Sequence, residues 1–220
     1  MAKRIRILLA DDHAVLREGM RNILQKEGDL EVVGEAGDGE EAIRLAEELS
    51  PDVALMDIVM PKLNGIEATR RIKSTRPSTA VLILTAHEDE RYILGLLEAG
   101  AAGYLLKSSR AGELVGAIRA VSAGESVLLP AVTARLLARA ASSGEGFAGA
   151  RNGEQLTERE LEILRLAARG MGNKEIAKQL ALSVPTVKAH LVNIFNKMAV
   201  GSRTEAVLHA VRKGWVELEP

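Results

Sequence analysis

The stretch Val53-Ala54-Leu55-Met56-Asp57-Ile58-Val59-Met60-Pro61-Lys62-Leu63-Asn64-Gly65 decides the fold of this chain. A short apolar run ends in a carboxylate and gives way to a loop. Continuous apolar runs of this kind suit strands covered on both faces. Three more runs share the layout. Ile5-Arg6-Ile7-Leu8-Leu9-Ala10 ends in Asp11 and Asp12, Ala80-Val81-Leu82-Ile83-Leu84 ends in Thr85, and Tyr104-Leu105-Leu106 ends in Lys107. In a parallel α/β sheet the carboxyl ends of the strands lie along one edge, where ligands bind. Three acids, one hydroxyl and one amine would therefore converge in one pocket.

Working outward, strands are predicted over 5–10, 31–35, 53–57, 80–84 and 103–106. Helical patterns lie between them at about 13–26, 38–49, 64–75, 88–99 and 110–123. Alternating strands and helices predict an α/β doubly wound, five-stranded parallel sheet with right-handed crossovers. Residues 131–140 can continue as a helix. Residues 141–150, Ala-Ser-Ser-Gly-Glu-Gly-Phe-Ala-Gly-Ala, have the composition of a flexible tether. Beyond it the chain reads as all helix. The predicted division is one domain over 1–125, a linker over 126–155, and an all-α four-helix domain over 156–220.

Composition narrows the function classes. Only 2% of the 220 residues are aromatic against 47% hydrophobic, so the core must be aliphatic. There is no cysteine, which excludes disulfides and thiolate metal sites and fits a reducing cytosol. No apolar run reaches about 18 residues, so a soluble, cytoplasmic protein without membrane contact is expected. The overall charge of −1 hides an asymmetry. Residues 1–130 carry 16 Lys+Arg and 21 Asp+Glu, net −5, and residues 151–220 carry 11 and 8, net +3. Two halves of opposite sign suggest different partners.

In the acidic half, Asp11, Asp12 and Asp57 would repel one another if all were ionised close together. A hard cation resolves that conflict. Mg²⁺ takes oxygen ligands, one or two of them carboxylates, plus phosphate. A carboxylate can also attack a phosphoryl group to give an acyl phosphate. Asp57, on the central strand, is the expected nucleophile; Lys107 supplies positive charge and Thr85 can bond a phosphoryl oxygen. Singly, each residue has a plainer reading. Asp12 can cap the helix that starts near His13, a Thr at a strand end is a strand former, and a Lys there is usually solvated. His13 itself reads as a helix-start residue and not as a metal ligand.

In the basic half, Thr157 and Glu160 form a capping box before Leu161, and Gly170 can stop that helix in the left-handed region. Asn173 can cap a second helix and Ser183 a third, from Val184 to about Met198; a fourth runs from about Arg203 to Lys213. On the third, Val187, Leu191, Ile194, Phe195 and Met198 recur at core spacing. Lys188, Ala189, Val192 and Asn196 fall on the opposite side, with Asn193 near the boundary. Such a surface suits base edges, because Lys donates to guanine while Val and Ala meet a thymine methyl. The tight Ala181-Leu182-Ser183 link makes the second and third helices a helix-turn-helix. Lys174, Lys197 and Arg203 are candidate phosphate contacts. A plain helical bundle with a solvated polar face fits the same spacing.

The motif text favours the sharper reading. Leu156-Thr157-Glu158-Arg159-Glu160-Leu161, Asn173-Lys174-Glu175-Ile176-Ala177, Ser183-Val184-Pro185-Thr186-Val187-Lys188-Ala189-His190 and Ser202-Arg203-Thr204-Glu205-Ala206 together resemble the LuxR-type helix-turn-helix. That resemblance implies a third helix in the major groove of double-stranded DNA, with Thr186, Lys188, Ala189, Val192 and Asn193 at the interface. It also implies a dimer contact on the fourth helix, for which Val207 and its neighbours are the candidate patch.

Asp11-Asp12-His13, Met56-Asp57-Ile58-Val59-Met60-Pro61, Gly65, Leu84-Thr85-Ala86 and Gly103-Tyr104-Leu105-Leu106-Lys107 resemble the receiver domain of two-component response regulators. The whole chain thus resembles a NarL/FixJ-type response regulator with a flavodoxin-like receiver. The resemblance implies a phosphoprotein and transcription regulator, not an enzyme. Asp57 would accept phosphate from a sensor histidine kinase, and the phosphorylated form would be a homodimer. Mg²⁺ would be held by Asp12, Asp57 and the Val59 carbonyl, with Asp11 acting through water. Thr85 and Tyr104 would form a switch pair, the ring moving inward as Thr85 engages the phosphate. Ser108 stands where many receivers carry proline, which leaves the isomer of the Lys107–Ser108 bond open. Two rivals remain: a Mg²⁺-dependent aspartyl phosphatase, which would need a second acid where Val59 stands, and a pseudo-receiver regulated without phosphate. RNA binding by the helical half is disfavoured by the lack of stacking aromatics.

Overall fold

The computed structural model describes residues 4–86, 95–127, 156–198 and 200–216. Five parallel strands carry the first domain: β1 (Ile5–Ala10), β2 (Leu30–Ala36), β3 (Val53–Asp57), β4 (Ala80–Thr85) and β5 (Gly103–Leu106). Their order across the sheet is β2-β1-β3-β4-β5. The order reverses between β1 and β3, the place where doubly wound sheets bind ligands. Asp11 follows β1 and Asp57 ends β3, so sequence position alone brings both acids to that crevice.

Alternation along the strands builds two cores. Leu8, Ala10, Ala54, Met56, Val81 and Ile83 face one way, toward α2 (Gly39–Leu49) and α3 (Gly65–Thr75). Ile7, Leu9, Val53, Leu55, Leu82 and Leu84 face the other, toward α1 (Ala14–Leu24) and α4 (Ala111–Ser122). Both faces are covered, which is why β3 and β4 read as unbroken apolar runs. Residues 95–98 are helical, within the predicted 88–99 pattern. The helix predicted over 131–140 and the tether over 141–150 lie outside the described residues.

The loop after β3 is set by Gly65. A Cβ there would sit 1.9 Å from the Asp57 carbonyl oxygen, so only glycine lets α3 start this close to the strand end. Gly65 N donates to the Ile58 oxygen at 2.9 Å, and Asn64 caps α3 by accepting from Glu67 N at 2.9 Å. These bonds close the loop of residues 58–64 between β3 and α3.

The second domain has four helices: α5 (Glu158–Ala168), α6 (Asn173–Gln179), α7 (Val184–Met198) and α8 (Arg203–Arg212). Ile163, Leu164, Ile176, Val187, Leu191, Ile194 and Ala206 close its aliphatic core. The Thr157–Glu160 capping box is formed, Gly170 has φ of +79°, and Ser183 Oγ accepts from Thr186 N at 3.2 Å. The expectation that Asn173 caps the second helix is corrected. Gly172 holds the cap position, and the Asn173 side chain leaves the helix to bond elsewhere. No helix among the described residues is long and apolar enough to cross a membrane.

Candidate functional site

Asp11, Asp57 and Lys107 meet at the carboxyl edge of the sheet. Lys107 Nζ lies 2.7 Å from Asp11 Oδ2 and 2.8 Å from Asp57 Oδ2. Lys107 N donates to the Thr85 oxygen at 2.8 Å, which fixes the end of β5 against that of β4. Asp11 is fully buried and Asp57 is 4% exposed, whereas Asp12 is open to solvent. Ile58 N donates to Asp57 Oδ1 at 2.8 Å. The Val59 side chain is 69% exposed, so only its backbone is available to the pocket. Thr85 is buried at the rim. Among the described residues there is no cis peptide, so the Lys107–Ser108 bond is trans.

The charges do not balance within this pocket. Three carboxylates face one ammonium. Burial pushes the Asp57 carboxyl above its ordinary value, and the attraction of Lys107 offsets that only in part. Burial disfavours the Lys107 ammonium, but hydrogen bonds and attraction from Asp11 and Asp57 outweigh it and hold the amine above the usual lysine value. Asp11 Oδ2 is buried 2.7 Å from the Lys107 ammonium. One donor atom from each of Asp11, Asp12, His13 and Asp57 lies within 4.8 Å of the others. Excess negative charge, hard oxygen donors and this spacing fit a divalent cation such as Mg²⁺.

Several supporting residues went unseen in the sequence. Arg17 donates to the Asp11 carbonyl oxygen and sits 3.6 Å from Glu35, tying α1 and β2 to the pocket floor. Lys62 Nζ reaches Asp38 Oδ2 at 2.6 Å and clamps the loop after β3 to the start of α2. The Tyr104 ring is already buried, in the cluster with Ile83, Leu96, Leu97 and Ala101, so the expected inward movement has no outward starting point here.

The helical domain rests on the first domain, and α7 takes part in the contact. Lys188 Nζ donates to the Ser122 oxygen at 3.2 Å, and Asn173 Nδ2 donates to the Ala123 oxygen. Both carbonyls belong to the carboxyl end of α4, where unpaired oxygens and the helix dipole favour positive charge and donors. Thr204 Oγ1 and Ser126 Oγ are 2.7 Å apart, and Leu208 packs on the receiver-side core. Gly100 and Gly201 meet with no room between them: a Cβ on Gly201 would fall 2.8 Å from the Gly100 Cα. Of the predicted α7 surface, Ala189, Val192 and Asn193 are exposed, while Lys188 and Thr186 are half-buried.

Three predicted roles need correction. Arg203 is buried inside the helical domain, where it donates to Asn173 Oδ1 at 3.1 Å and to the Ala167 and Met171 oxygens, so it is not displayed to a phosphate. Lys197 Nζ bonds Glu160 Oε2 at 2.9 Å and is mostly covered. Burial would raise the Glu160 carboxyl, but bonds from Thr157 and Lys197 outweigh it and hold it below its ordinary value. Val207 is 8% exposed and belongs to the helical core, so it offers no patch to a partner. Lys174 is exposed, as a phosphate contact requires.

Comparison with known proteins agrees with this architecture. Residues 7–119 match the family model described as response regulator receiver domain. Residues 154–210 match that described as bacterial regulatory proteins, luxR family. The chain is 47% identical over 208 residues to the transcriptional regulatory protein LiaR of Bacillus subtilis (strain 168), covering 94% of this chain and 97% of that protein. It is 41% identical to the transcriptional regulatory protein DegU of Brevibacillus brevis, covering 98% and 96%. Among solved structures it resembles the response regulator ChrA of a heme-sensing two component system, with 37% identity, a TM-score of 0.51, and 97% and 100% of the chains covered. It also resembles RcsB in a structure of two dimers bound to two parallel DNAs, with 26% identity, a TM-score of 0.55, and 96% and 99% covered.

Proposed function

The chain belongs to the response regulators that join a receiver domain to a LuxR-type DNA-binding domain, and from that premise we propose that it is a transcriptional regulator switched by phosphorylation of Asp57. The observation that carries this reading is the meeting of Lys107 with Asp11 and Asp57 at 2.7 and 2.8 Å. A sensor histidine kinase supplies the phosphoryl group. A bond forms between an Asp57 carboxylate oxygen and phosphorus as the phosphorus–nitrogen bond of the phosphohistidine breaks. Lys107 offsets charge on the phosphoryl oxygens, and Thr85 donates to one of them. Asp12, Asp57 and the Val59 carbonyl would hold Mg²⁺, with Asp11 acting through water; the ion supplies further positive charge when bound. Val59 stands where an aspartyl phosphatase of this geometry would need its acid, which favours regulation over turnover.

The domains divide as a receiver over 1–125, a linker over 126–155 and a DNA-binding domain over 156–220. Lys188, Ala189, Val192 and Asn193 face bases, Thr186 flanks them, and Lys174 contacts phosphate. The active form is a homodimer on double-stranded DNA with half-sites one helical turn apart, roughly 34 Å. The contact of Lys188 with Ser122 supports a resting state in which the receiver covers α7. Phosphorylation then shifts a closed–open equilibrium toward release. The test is treatment with acetyl phosphate and Mg²⁺, followed by intact-mass measurement and a DNA-binding titration. One added phosphoryl group, absent in Asp57→Asn, with tighter DNA binding in the wild type alone, is the expected result. A phosphoryl adduct that survives Asp57→Asn would overturn the assignment.

A further inference from the structure

His13 occupies the N-cap of α1, where a side chain ordinarily accepts from the first-turn N–H groups, yet its imidazole makes no capping bond. The ring turns back toward the acids instead. Nδ1 lies 2.7 Å from Asp12 Oδ1 and 3.2 Å from Asp11 Oδ1. The His13 backbone N–H donates to Asp11 Oδ1 at 2.9 Å, which holds the residue in this turn whatever its side chain. The structural duty of the position is thus met by the backbone, and the imidazole is left to face the pocket. A ring nitrogen of His13 belongs to the same group of donor atoms, within 4.8 Å of one another, as oxygens of Asp11, Asp12 and Asp57.

We propose that His13 is a ligand to the divalent ion of this pocket and gives the site a preference for borderline metals, Mn²⁺ and Zn²⁺ above all, over Mg²⁺. This rests on the reading of the pocket as a cation site and adds a nitrogen to it. Mg²⁺ is a hard ion that keeps oxygen ligands and gains little from imidazole. Mn²⁺ and Zn²⁺ accept mixed nitrogen and carboxylate sets, and their affinity for imidazole follows the usual order of the first transition row. Between two carboxylate oxygens, which only accept, Nδ1 carries a proton; an incoming ion displaces that proton and binds the Nδ1 lone pair, while Nε2 keeps its own. The ring is largely exposed, with 69% of its side chain in solvent, so Nε2 can keep that proton in water. Asp12, on the open side of the pocket, can release its contact with Nδ1 and bind the ion through the same oxygen.

The experiment uses the full chain with Mn²⁺ and Mg²⁺ as probes. Pulsed electron paramagnetic resonance of the Mn²⁺-loaded protein should show nitrogen-14 modulation, and His13→Ala should abolish it. Titration should show Mn²⁺ affinity falling roughly tenfold or more in His13→Ala while Mg²⁺ affinity stays within about twofold. His13→Asn keeps a polar side chain and guards against a purely structural loss; it should also lack the nitrogen signal. Mn²⁺ bound without nitrogen modulation, or modulation that persists in His13→Ala, would overturn the proposal while leaving the cation site intact. Failure of both ions to bind, or binding indifferent to Asp57→Asn, would instead overturn the underlying reading of the pocket.

Discussion

Lys188 Nζ and the Ser122 carbonyl oxygen are hydrogen-bonded across the two domains at 3.2 Å. Lys188 belongs to the helix that would enter the major groove, and Ser122 is the last residue of the final receiver helix. The same ammonium cannot cap that helix and donate to guanine. The polar groups gathered here are complementary: a lysine and an amide of the helical domain meet unpaired carbonyls of the receiver. Beside these polar bonds Leu208 packs on the receiver-side core and Gly201 abuts Gly100, so the contact is mixed in character.

The Gly100–Gly201 approach gives a way to open the molecule without touching either site. Gly201→Ala places a Cβ 2.8 Å from the Gly100 Cα and 2.9 Å from Lys73 Cε. Only the closed arrangement is strained, by about 1–3 kcal/mol if the overlap behaves like ordinary overpacking. The unphosphorylated variant should bind DNA several-fold more tightly than the wild type and show a larger radius of gyration in small-angle scattering. The phosphorylated proteins should be alike.

Closure should also depend on pH through Glu205. Burial pushes this carboxyl up to about 7, against a bond from Gly201 N and the attraction of Lys73, and with added repulsion from Glu98. Arg70 lines the same cleft. An acid with a raised pKa favours the closed form at low pH, and that gain is lost as pH rises through 7. Between pH 6 and 8 the closed population should weaken by on the order of tenfold from this group alone. Lys73, pushed down to about 8 by burial, opposes the trend only near and above that pH. DNA titrations of the unphosphorylated protein across pH 6–8 should show affinity rising with pH, and Glu205→Gln should flatten the curve.

The chain announces its receiver clearly because the signals are local. Strand ends fell within about a residue of their predicted positions, since two-sided burial forces unbroken apolar runs. Asp11, Asp57 and Lys107 follow from strand order alone. Other features depend on which way a ring or stem turns. His13 was legible as a helix start but not as a member of the acidic cluster, because backbone bonding freed its ring. For Arg203 and Val207 a signal was present. They share a stripe with Ala206 and Ala210 at helical spacing, and that stripe faces the core. The docking of α7 on the receiver had no local signal, because it pairs side chains with carbonyls many residues away.

Lys107 should be structurally costly to remove. Its ammonium lies within 2.8 Å of two buried carboxylates, Asp11 and Asp57. Lys107→Ala leaves them facing each other, a loss of about 3 kcal/mol for a broken buried pair. Asp57 already has a raised pKa from burial, so its penalty is present above that pKa and vanishes as acid protonates it. The stability deficit in urea unfolding should therefore be largest near neutral pH, shrink toward pH 4, and shrink again on adding Mg²⁺. A deficit that is constant with pH would mean that Lys107 acts through packing and not through charge.

Arg203 and Lys174 separate a residue that builds the DNA-binding domain from one proposed to contact phosphate. Arg203 is buried, and its guanidinium bridges α6 and the end of α5 through Asn173 and the Ala167 and Met171 carbonyls. Removing it leaves several buried acceptors unsatisfied, so Arg203→Ala should cost about 3 kcal/mol in stability. Once corrected for the folded fraction, its DNA affinity should depend on salt as the wild type does. Lys174 is exposed, and Lys174→Ala should leave the melting temperature nearly unchanged. It should weaken binding to all sequences alike and reduce the slope of log affinity against log salt by about 1. A normal melting temperature with a reduced salt slope for Arg203→Ala would restore it as a phosphate contact and require the α8 start to turn outward on DNA.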